Sequence, residues 1–253
     1  MPTRYDLARN LGVKSFSFRH ITDNADVAAA ISRCGSIAVD LSACHVNYDD
    51  PPQQERVVAT YREAGVRISG IGVVHMRNDS AHNLRFFEFA RRAGCTVVSC
   101  TFPLADHEAI LRDLEALCAR FGMRVAIHNH GGTDWLGNTH ALDHVFGRTS
   151  PAIGLCLDTA WCIQAGGDPL QWLEKFGPRL HALHLKDFRF DPSGRFHDTI
   201  IGEGALKLPA FLEKFRSLSF DGSAVVEYEG ADAVEATGRC VAAVRAAWTD
   251  ISA

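Results

Sequence analysis

The sequence has little that would place the protein in a membrane or on nucleic acid. Its apolar runs fall short of the roughly 20 residues that a membrane-spanning helix needs, so no membrane span is predicted. The segment MPTRYDLARNLGVKSFSFRH at residues 1–20 contains no apolar core of a secretory signal, and we expect a cytoplasmic location. The formal net charge is −4 and the pI is near 6.3, with Lys and Arg scattered along the chain, which disfavours a nucleic-acid partner.

Two motifs are also missing. The eight cysteines include no CxxC pair, so a zinc-ribbon site is not supported. Several of them, such as Cys95, Cys100 and Cys156, stand in apolar segments, and we interpret them as buried free thiols in a reducing compartment. No GxGxxG or Walker loop follows an early strand, which disfavours an open nucleotide-binding sheet.

Short apolar segments alternate with longer amphipathic ones along the chain. This alternation is typical of repeated βα units on a parallel sheet. Strands are predicted at 13–18, 36–41, 67–74, 96–101, 124–128, 153–157, 180–185 and 223–228. Helices are predicted at 53–64, 80–93, 107–121, 168–176, 207–217 and 232–248.

The glycine pattern and the chain length support the same fold. Gly65, Gly94, Gly122 and Gly177 follow helical segments, where a left-handed helix stop favours glycine. A length of 253 residues is commonly filled by one barrel. We therefore predict the α/β class and a (β/α)8 TIM barrel, with a single domain over residues 1–253.

Polar side chains are concentrated at the ends of the last four predicted strands. Because parallel barrel strands end at one mouth, where catalytic groups collect, these side chains are expected to lie close together. In chain order they are His128, Asn129 and His130, then Asp158, then His184 with Lys186 and Asp187, then Glu227 with Glu229.

These strand ends predict a site for one divalent metal ion. Taken singly, a histidine that ends a strand is more often a structural residue, and an aspartate before a helix is more often a cap. Four such residues on adjacent strands favour a metal, because buried unpaired charges are costly. Mixed nitrogen and oxygen donors suit manganese, which we expect, or zinc, cobalt or iron, and suit calcium poorly. The predicted ligands are His128, Asp158, His184 and Glu227.

Several segments resemble the xylose isomerase-like TIM barrel superfamily: HNHGG at 128–132, GLCLDTAW at 154–161, HLKDF at 184–188, GEG at 202–204 and VVEYEG at 225–230. More narrowly, they are similar to its sugar phosphate isomerase/epimerase branch, which includes inosose dehydratases, hydroxypyruvate isomerases and ketose 3-epimerases. The resemblance spans nearly the whole chain, from GVKSFSFR at 12–19 to the last helix. It implies that Asp158, His184 and Glu227 are metal ligands.

Two positions depart from that family pattern. His128 stands where the family usually has a glutamate that serves as both ligand and base in the epimerases, so the two-glutamate mechanism does not transfer intact. Trp161 stands where many relatives carry a histidine, which replaces a polar contact by an indole wall suited to stacking on a sugar.

The resemblance implies a metal-dependent sugar isomerase or epimerase that removes a proton next to a carbonyl through a metal-stabilised enediolate. Glu227 or His128 is the expected base, with His130 in reserve, and Lys186 is expected to stabilise the oxyanion or donate a proton. An ion pair between Lys186 and Glu229 or Asp187 is the structural alternative. A lyase or dehydratase acting on a keto-sugar or keto-inositol is the alternative function, favoured by His128.

Other classes of protein remain as alternatives. A metal- or sugar-binding barrel without activity is the non-enzyme alternative. The DNA-repair endonuclease branch of the superfamily is disfavoured by the net charge of −4.

The expected substrate is a neutral sugar, keto-sugar or cyclitol, because no helix start or glycine-rich loop marks a phosphate cradle. A homo-oligomer is possible. Arg19 is a plausible contact for a carboxylate or phosphate, and Glu203 is as readily a solvated turn residue as a sugar ligand. Phe18, Trp135 and Trp161 are expected to line the pocket. The predicted substrate-binding residues are His130, Trp161, Arg19, His45 and Glu203.

Overall fold

The computed structural model describes residues 5–251, which form a closed barrel of parallel strands surrounded by helices. The predicted (β/α)8 architecture is therefore confirmed. Residues 1–4 and 252–253, which belong to the predicted domain, lie outside the described range, as does the start of the segment considered as a signal. None of the described helices is long and apolar enough to cross a membrane.

The barrel strands follow the predicted order. They are β1 (Gly12–Lys14), β2 (Ala38–Leu41), β3 (Arg67–His75), β4 (Val97–Thr101), β5 (Arg124–His128), β6 (Ile153–Asp158), β7 (Leu180–Leu185) and β10 (Ser223–Val226). β10 pairs with both β7 and β1, which closes the barrel. A separate antiparallel hairpin after β7 consists of β8 (Phe188–Phe190) and β9 (Phe196–Asp198).

Helices connect the strands on the outside. They are α1 (Leu7–Asn10), α2 (Asn24–Arg33), α3 (Pro51–Glu63), α4 (Ser80–Ala93), α5 (His107–Phe121), α6 (Thr139–Phe146), α7 (Thr159–Gln164), α8 (Pro169–Phe176), α9 (Leu208–Arg216) and α10 (Ala233–Asp250). Asp50, Asp79 and Asp168 cap their helices by accepting hydrogen bonds from first-turn amides. Gly94 and Gly122 end α4 and α5 in the left-handed conformation, as predicted.

The structure corrects the predicted elements in three places. The predicted strand at 13–18 ends at Lys14, because residues 15–18 turn into a 3-10 helix. Gly177 has a φ of −50°, so it begins a 3-10 turn and is not a left-handed stop. The helices α1, α2, α6 and α7 and the hairpin were not predicted. With four and six residues, α1 and α7 are shorter than the window over which a helical period can be recognised.

Register across the barrel brings the polar strand ends to one level. Asp158 is the partner of His184 between β6 and β7, and His128 is the partner of Cys156 between β5 and β6. Small side chains stand two residues before these strand ends, at Ala126, Cys156 and Ala182, and belong to one buried cluster. The mouth therefore sits on a packed floor, which holds its polar side chains in place.

Candidate metal centre and active site

Three of the predicted ligands meet at the mouth. Asp158 ends β6, His184 lies near the end of β7, and Glu227 directly follows β10, where its amide donates to the Leu185 carbonyl at 3.0 Å. One ligand atom from each of Asp158, His184 and Glu227 lies within 4.8 Å of the others, and all three residues are buried. Backbone pairing between neighbouring strands fixes this convergence.

The donor atoms of this cluster have the character that a cation needs. Oδ1 of Asp158 caps α7 by accepting from the Trp161 amide at 2.9 Å, whereas Oδ2 has no hydrogen-bond partner among residues 5–251. Neither ring nitrogen of His184 has a hydrogen-bond partner within the same range. Buried polar atoms left in this state are costly, and a divalent cation held by two carboxylates and an imidazole would compensate them. The residues present fit such an ion.

The charges in the cluster are strongly coupled. Burial raises the pKa of Glu227, but the contact with His184 and the nearby charges of Lys186 and Lys14 outweigh it and hold that pKa well below its usual range. Burial lowers the pKa of His184, but Cys156 and Glu227 outweigh it, so the net shift is upward. Glu227 is thus an ionised carboxylate, which suits a metal ligand.

His128 lies beside these three residues. Its Nε2 is 3.7 Å from Oδ2 of Asp158, and its ring centroid is 5.1 Å from that of His184. Burial lowers its pKa, which favours the neutral imidazole that can bind a metal or accept a proton. Asn129, the next residue, joins β5 to β6 by hydrogen bonds of 2.8 and 3.0 Å with the Asp158 backbone.

Cys156 is a neighbour of the site that the sequence analysis did not assign to it. It is a buried free thiol, as predicted, and it forms a second group of possible donors with His128 and His184, again within 4.8 Å. Its position two residues before Asp158 on β6 was the available signal, because alternate residues of a strand share a face.

Lys186 forms an ion pair with Glu229 and lies 3.7 Å from Oδ1 of Asp198. An ion pair with Glu229 is the structural alternative to a catalytic role that was expected for Lys186. Burial lowers its pKa, but the carboxylates of Glu227, Asp158 and Glu229 outweigh that effect and raise it, so the side chain is a permanent cation. The pair nevertheless lies at the mouth, because Glu229 lines a cavity that opens there.

Asp187, the neighbour of Lys186, binds the backbone of a loop. Its carboxylate accepts hydrogen bonds from the amides of Gly202, Gly204 and Leu206 at 2.9 to 3.0 Å. It therefore holds the GEG loop. Glu203 within that loop is exposed, and its carboxylate lies 3.2 Å from Arg239.

A cavity of about 540 Å³ opens over the cluster. Its walls include Lys14, His128, His130, Trp161, Glu227 and Glu229. The rings of His130 and Trp161 stack with centroids 4.0 Å apart, so one face of the predicted indole wall is covered by imidazole. The volume is that of a small-molecule site.

Lys14 is a further residue that the sequence analysis missed. It is buried in the wall of the cavity, where its ammonium contacts Oδ1 of Asp40 and the Gly72 carbonyl. Oδ2 of Asp40 has no hydrogen-bond partner in the described part of the chain. A lysine inside the short apolar segment GVKSF was the signal, since such a residue is rarely buried without a partner.

Other predicted contact residues are turned into the protein. Arg19 donates to the carbonyl oxygens of Glu229 at 2.7 Å and Phe16 at 3.3 Å, and the His45 ring lies 3.0 Å from Ser15 Oγ and 2.9 Å from the Ile21 carbonyl. Neither residue forms part of the cavity wall, and neither does Glu203. Two of the aromatic residues expected to line the pocket also make other contacts: Phe18 is in the core, and Trp135 donates to the Phe102 carbonyl at 2.8 Å.

Curated relatives match parts of the chain. The Rhizopine catabolism protein MocC of Rhizobium meliloti is 29% identical over 133 residues, which cover 47% of this chain and 41% of that protein. The inosose dehydratase of Geobacillus thermodenitrificans is 28% identical over 134 residues, which cover 47% of this chain and 45% of that protein. The chain thus spans less than half the length of these curated relatives.

Solved structures extend the similarity of fold to nearly the whole chain. A xylose isomerase-like TIM barrel protein from Mycobacterium smegmatis, solved in complex with magnesium, superposes with a TM-score of 0.79 at 15% identity, covering 96% of this chain and 98% of that one. Residues 7–246 match the family described as xylose isomerase-like TIM barrel. Since this match covers far more than half of the sequence, the chain belongs to the xylose isomerase-like TIM barrel family.

Proposed function

We propose that this protein is a divalent-metal-dependent enzyme that removes the proton next to the carbonyl group of a neutral keto-sugar or keto-cyclitol. The observation that carries the proposal is the convergence of Asp158, His184 and Glu227 at the barrel mouth, with unpartnered donor atoms on Asp158 and His184 and with Glu227 in the wall of the cavity. Manganese is the ion we expect, and zinc, cobalt and iron suit the same donors. We keep a single domain, a cytoplasmic location and a possible homo-oligomer as predictions.

The cation, when bound, supplies a Lewis acid for the carbonyl oxygen of the substrate. Asp158, His184 and Glu227 would hold it. His128 is the base we assign, because it lines the cavity beside the ligands and is not one of the three residues proposed to hold the cation. His130 and Trp161 form the stacked wall against which an apolar sugar face can lie.

Lys186 and Glu229, which form an ion pair, complete the proposed machinery. The ammonium of Lys186 is a permanent cation, which makes it suitable for stabilising a negative oxygen and unsuitable for giving up its proton. Glu229, in contact with Lys186, is the group we assign to carry a proton to or from the substrate.

The charges around the cavity support a neutral substrate. The carboxylates near the cavity outnumber the ammonium groups. The ammonium groups are those of Lys14 and Lys186, and the carboxylates near them are Asp40, Asp158, Asp198, Glu227 and Glu229. A divalent cation would reduce this excess of negative charge but would not make the site positive. Arg19, the predicted anion contact, donates to backbone carbonyls instead. A phosphorylated or acidic substrate would meet net repulsion at this site.

Loss of water is the outcome we put first. The base takes the proton from the carbon next to the carbonyl, a carbon–carbon double bond forms as the bond to the β-hydroxyl breaks, and the leaving group departs as water after protonation. Two observations favour this outcome: His128 replaces the glutamate that a two-glutamate epimerisation needs, and the curated relatives include inosose dehydratases. Isomerisation or epimerisation is the second candidate, because it shares the first proton transfer.

The proposal is tested by proton NMR in deuterated water with the manganese-loaded protein and a panel of ketoses, 3-keto-sugars and inososes. We expect one substrate class to take up deuterium next to the carbonyl and to give a dehydrated product. Deuterated isomers without dehydration would favour the second candidate. Binding of a panel member without deuterium uptake would favour the metal- or sugar-binding barrel. Asp158→Asn is the matched control and should show no uptake.

A further inference from the structure

Two histidines meet outside the barrel, on the neighbouring helices α5 and α6. His107 begins α5 and His144 lies in the last turn of α6. Their Nε2 atoms are 3.2 Å apart, and their ring centroids are 5.3 Å apart. Both side chains are half-buried, and Trp135 packs against the His107 ring. None of these residues belongs to the metal centre at the mouth.

The protonation of His107 follows from its other contact. Nδ1 of His107 lies 2.9 Å from the Leu104 carbonyl oxygen, which can only accept a hydrogen bond. Nδ1 therefore carries the proton of the neutral ring, and the lone pair of Nε2 points toward His144. A histidine that ligates a metal is commonly fixed by such a bond from its other nitrogen to a backbone carbonyl.

The spacing of the two nitrogens suits a shared cation. Zinc binds imidazole nitrogen at about 2.0–2.1 Å, so two nitrogens on a tetrahedral ion are about 3.3–3.4 Å apart. The Nε2 atoms of His107 and His144 are 3.2 Å apart, and a small outward shift of the rings would accommodate the ion. A hydrogen bond from one ring to the other is the competing explanation of the same contact.

A third imidazole stands one turn away on α6. His140 precedes His144 by four residues, and positions so spaced lie on the same face of a helix. Two histidines at this spacing are a recurring metal-binding arrangement on helices. His140 is exposed, and its ring would have to turn toward the pair to reach a shared ion. Asp143, the nearest carboxylate on α6, is bound to Lys175.

We propose that His107, His140 and His144 form a second metal site, which takes a borderline transition cation such as Zn²⁺ and joins α5 to α6. Its donors are all imidazoles, whereas the mouth offers carboxylates as well. Magnesium and manganese prefer oxygen donors and are not expected at this outer site. The site is independent of the proposed activity.

The test is equilibrium dialysis of the full chain against Zn²⁺ after removal of metals. His107→Gln, His140→Gln and His144→Gln should each bind one zinc ion fewer per chain than the unmodified protein. The double variant Asp158→Asn, His184→Gln should keep the outer ion. His20→Gln, at another exposed histidine, is the matched control and should bind as many ions as the unmodified protein.

Unchanged zinc binding in His107→Gln and His144→Gln would overturn the proposal and leave the contact as a hydrogen bond. A loss in these two variants but not in His140→Gln would overturn the three-histidine set. The test compares the number of zinc ions bound per chain with and without His107, His140 or His144. It therefore holds even if Asp158, His184 and Glu227 bind no metal. Circular dichroism of each variant checks that the fold is retained.

Discussion

Nδ1 of His184 and Oε2 of Glu227 lie 3.1 Å apart in the buried floor of the mouth, yet they are not aligned as a hydrogen bond. Asp158 adds a third buried donor, whose Oδ2 has no hydrogen-bond partner among the described residues. Side chains that are close together but poorly bonded to each other are typical of ligands that share a cation. This relationship is the basis of the proposed metal centre.

Removing either of two ligands should abolish metal-dependent turnover. We expect His184→Ala and Asp158→Asn each to weaken manganese binding by more than about 100-fold. This exceeds the usual effect of replacing a residue that only hydrogen-bonds to a metal ligand. The fold should survive, because strand pairing uses backbone atoms only and asparagine keeps an oxygen that can cap α7. Isothermal titration with Mn²⁺ and a thermal melt measure the two effects. Full activity in either variant would contradict the assignment of the site.

Replacing Lys186 should slow the reaction without removing the metal. Lys186→Met removes the cation proposed to stabilise the negative oxygen, and we expect kcat to fall by about 10²- to 10⁴-fold. Glu229→Gln keeps Lys186 and removes the proposed proton carrier. Comparing the two variants therefore separates stabilisation of the negative oxygen from proton transfer. Manganese affinity, measured by titration, should change little in both. If Lys186 is only structural, Lys186→Met would lower the melting temperature and leave kcat nearly unchanged.

The residue at position 128 should select the product. With His128→Glu, the site regains the carboxylate that epimerases of this family carry, and we expect the ratio of epimer to dehydrated product to rise. His128→Gln is the control without a base, for which the rate should fall by about 10²- to 10⁴-fold. Product analysis by NMR gives the ratio. An unchanged ratio in His128→Glu would show that this position does not decide the outcome.

His181 should make the fold sensitive to acid. Its Nε2 lies 2.8 Å from the Pro151 carbonyl, and burial lowers its pKa from the ordinary value of 6.5. The unfolded chain therefore binds a proton at higher pH than the folded chain. The contribution of neutral His181 to the free energy of unfolding is fully present above pH 6.5. It is lost as the pH falls from 6.5 through the lower pKa of His181 in the folded protein.

His181→Gln tests this contribution, because glutamine offers an N–H to the same carbonyl and does not titrate. Urea midpoints of the two proteins at about pH 8 and about pH 5 measure the effect. The fall in midpoint between these values should be smaller in the variant. His45 and His128, whose pKa values burial also lowers, should leave part of the fall in place. An equal fall in both proteins would exclude a contribution from His181.

Some of the candidate site could be predicted because it depends on local periodicity. In a parallel barrel, strand ends share one mouth, so His128, Asp158, His184 and Glu227 were found from their positions alone. Lys14 was missed, because its importance comes from Asp40, 26 positions later. Arg19 was expected at the substrate, but its guanidinium binds the Glu229 carbonyl, 210 positions away.

The sequence by itself determined the barrel, its order of strands and the donors that end them, because hydrophobic period and capping residues act over a few neighbouring positions. The tertiary structure alone decided which of these donors keep unpartnered atoms. It left Asp158 Oδ2 and the His184 ring without hydrogen-bond partners among residues 5–251, while it paired Lys186 with Glu229. The physical reason is that such partners come from distant strands and loops, whose side chains meet only when the barrel closes.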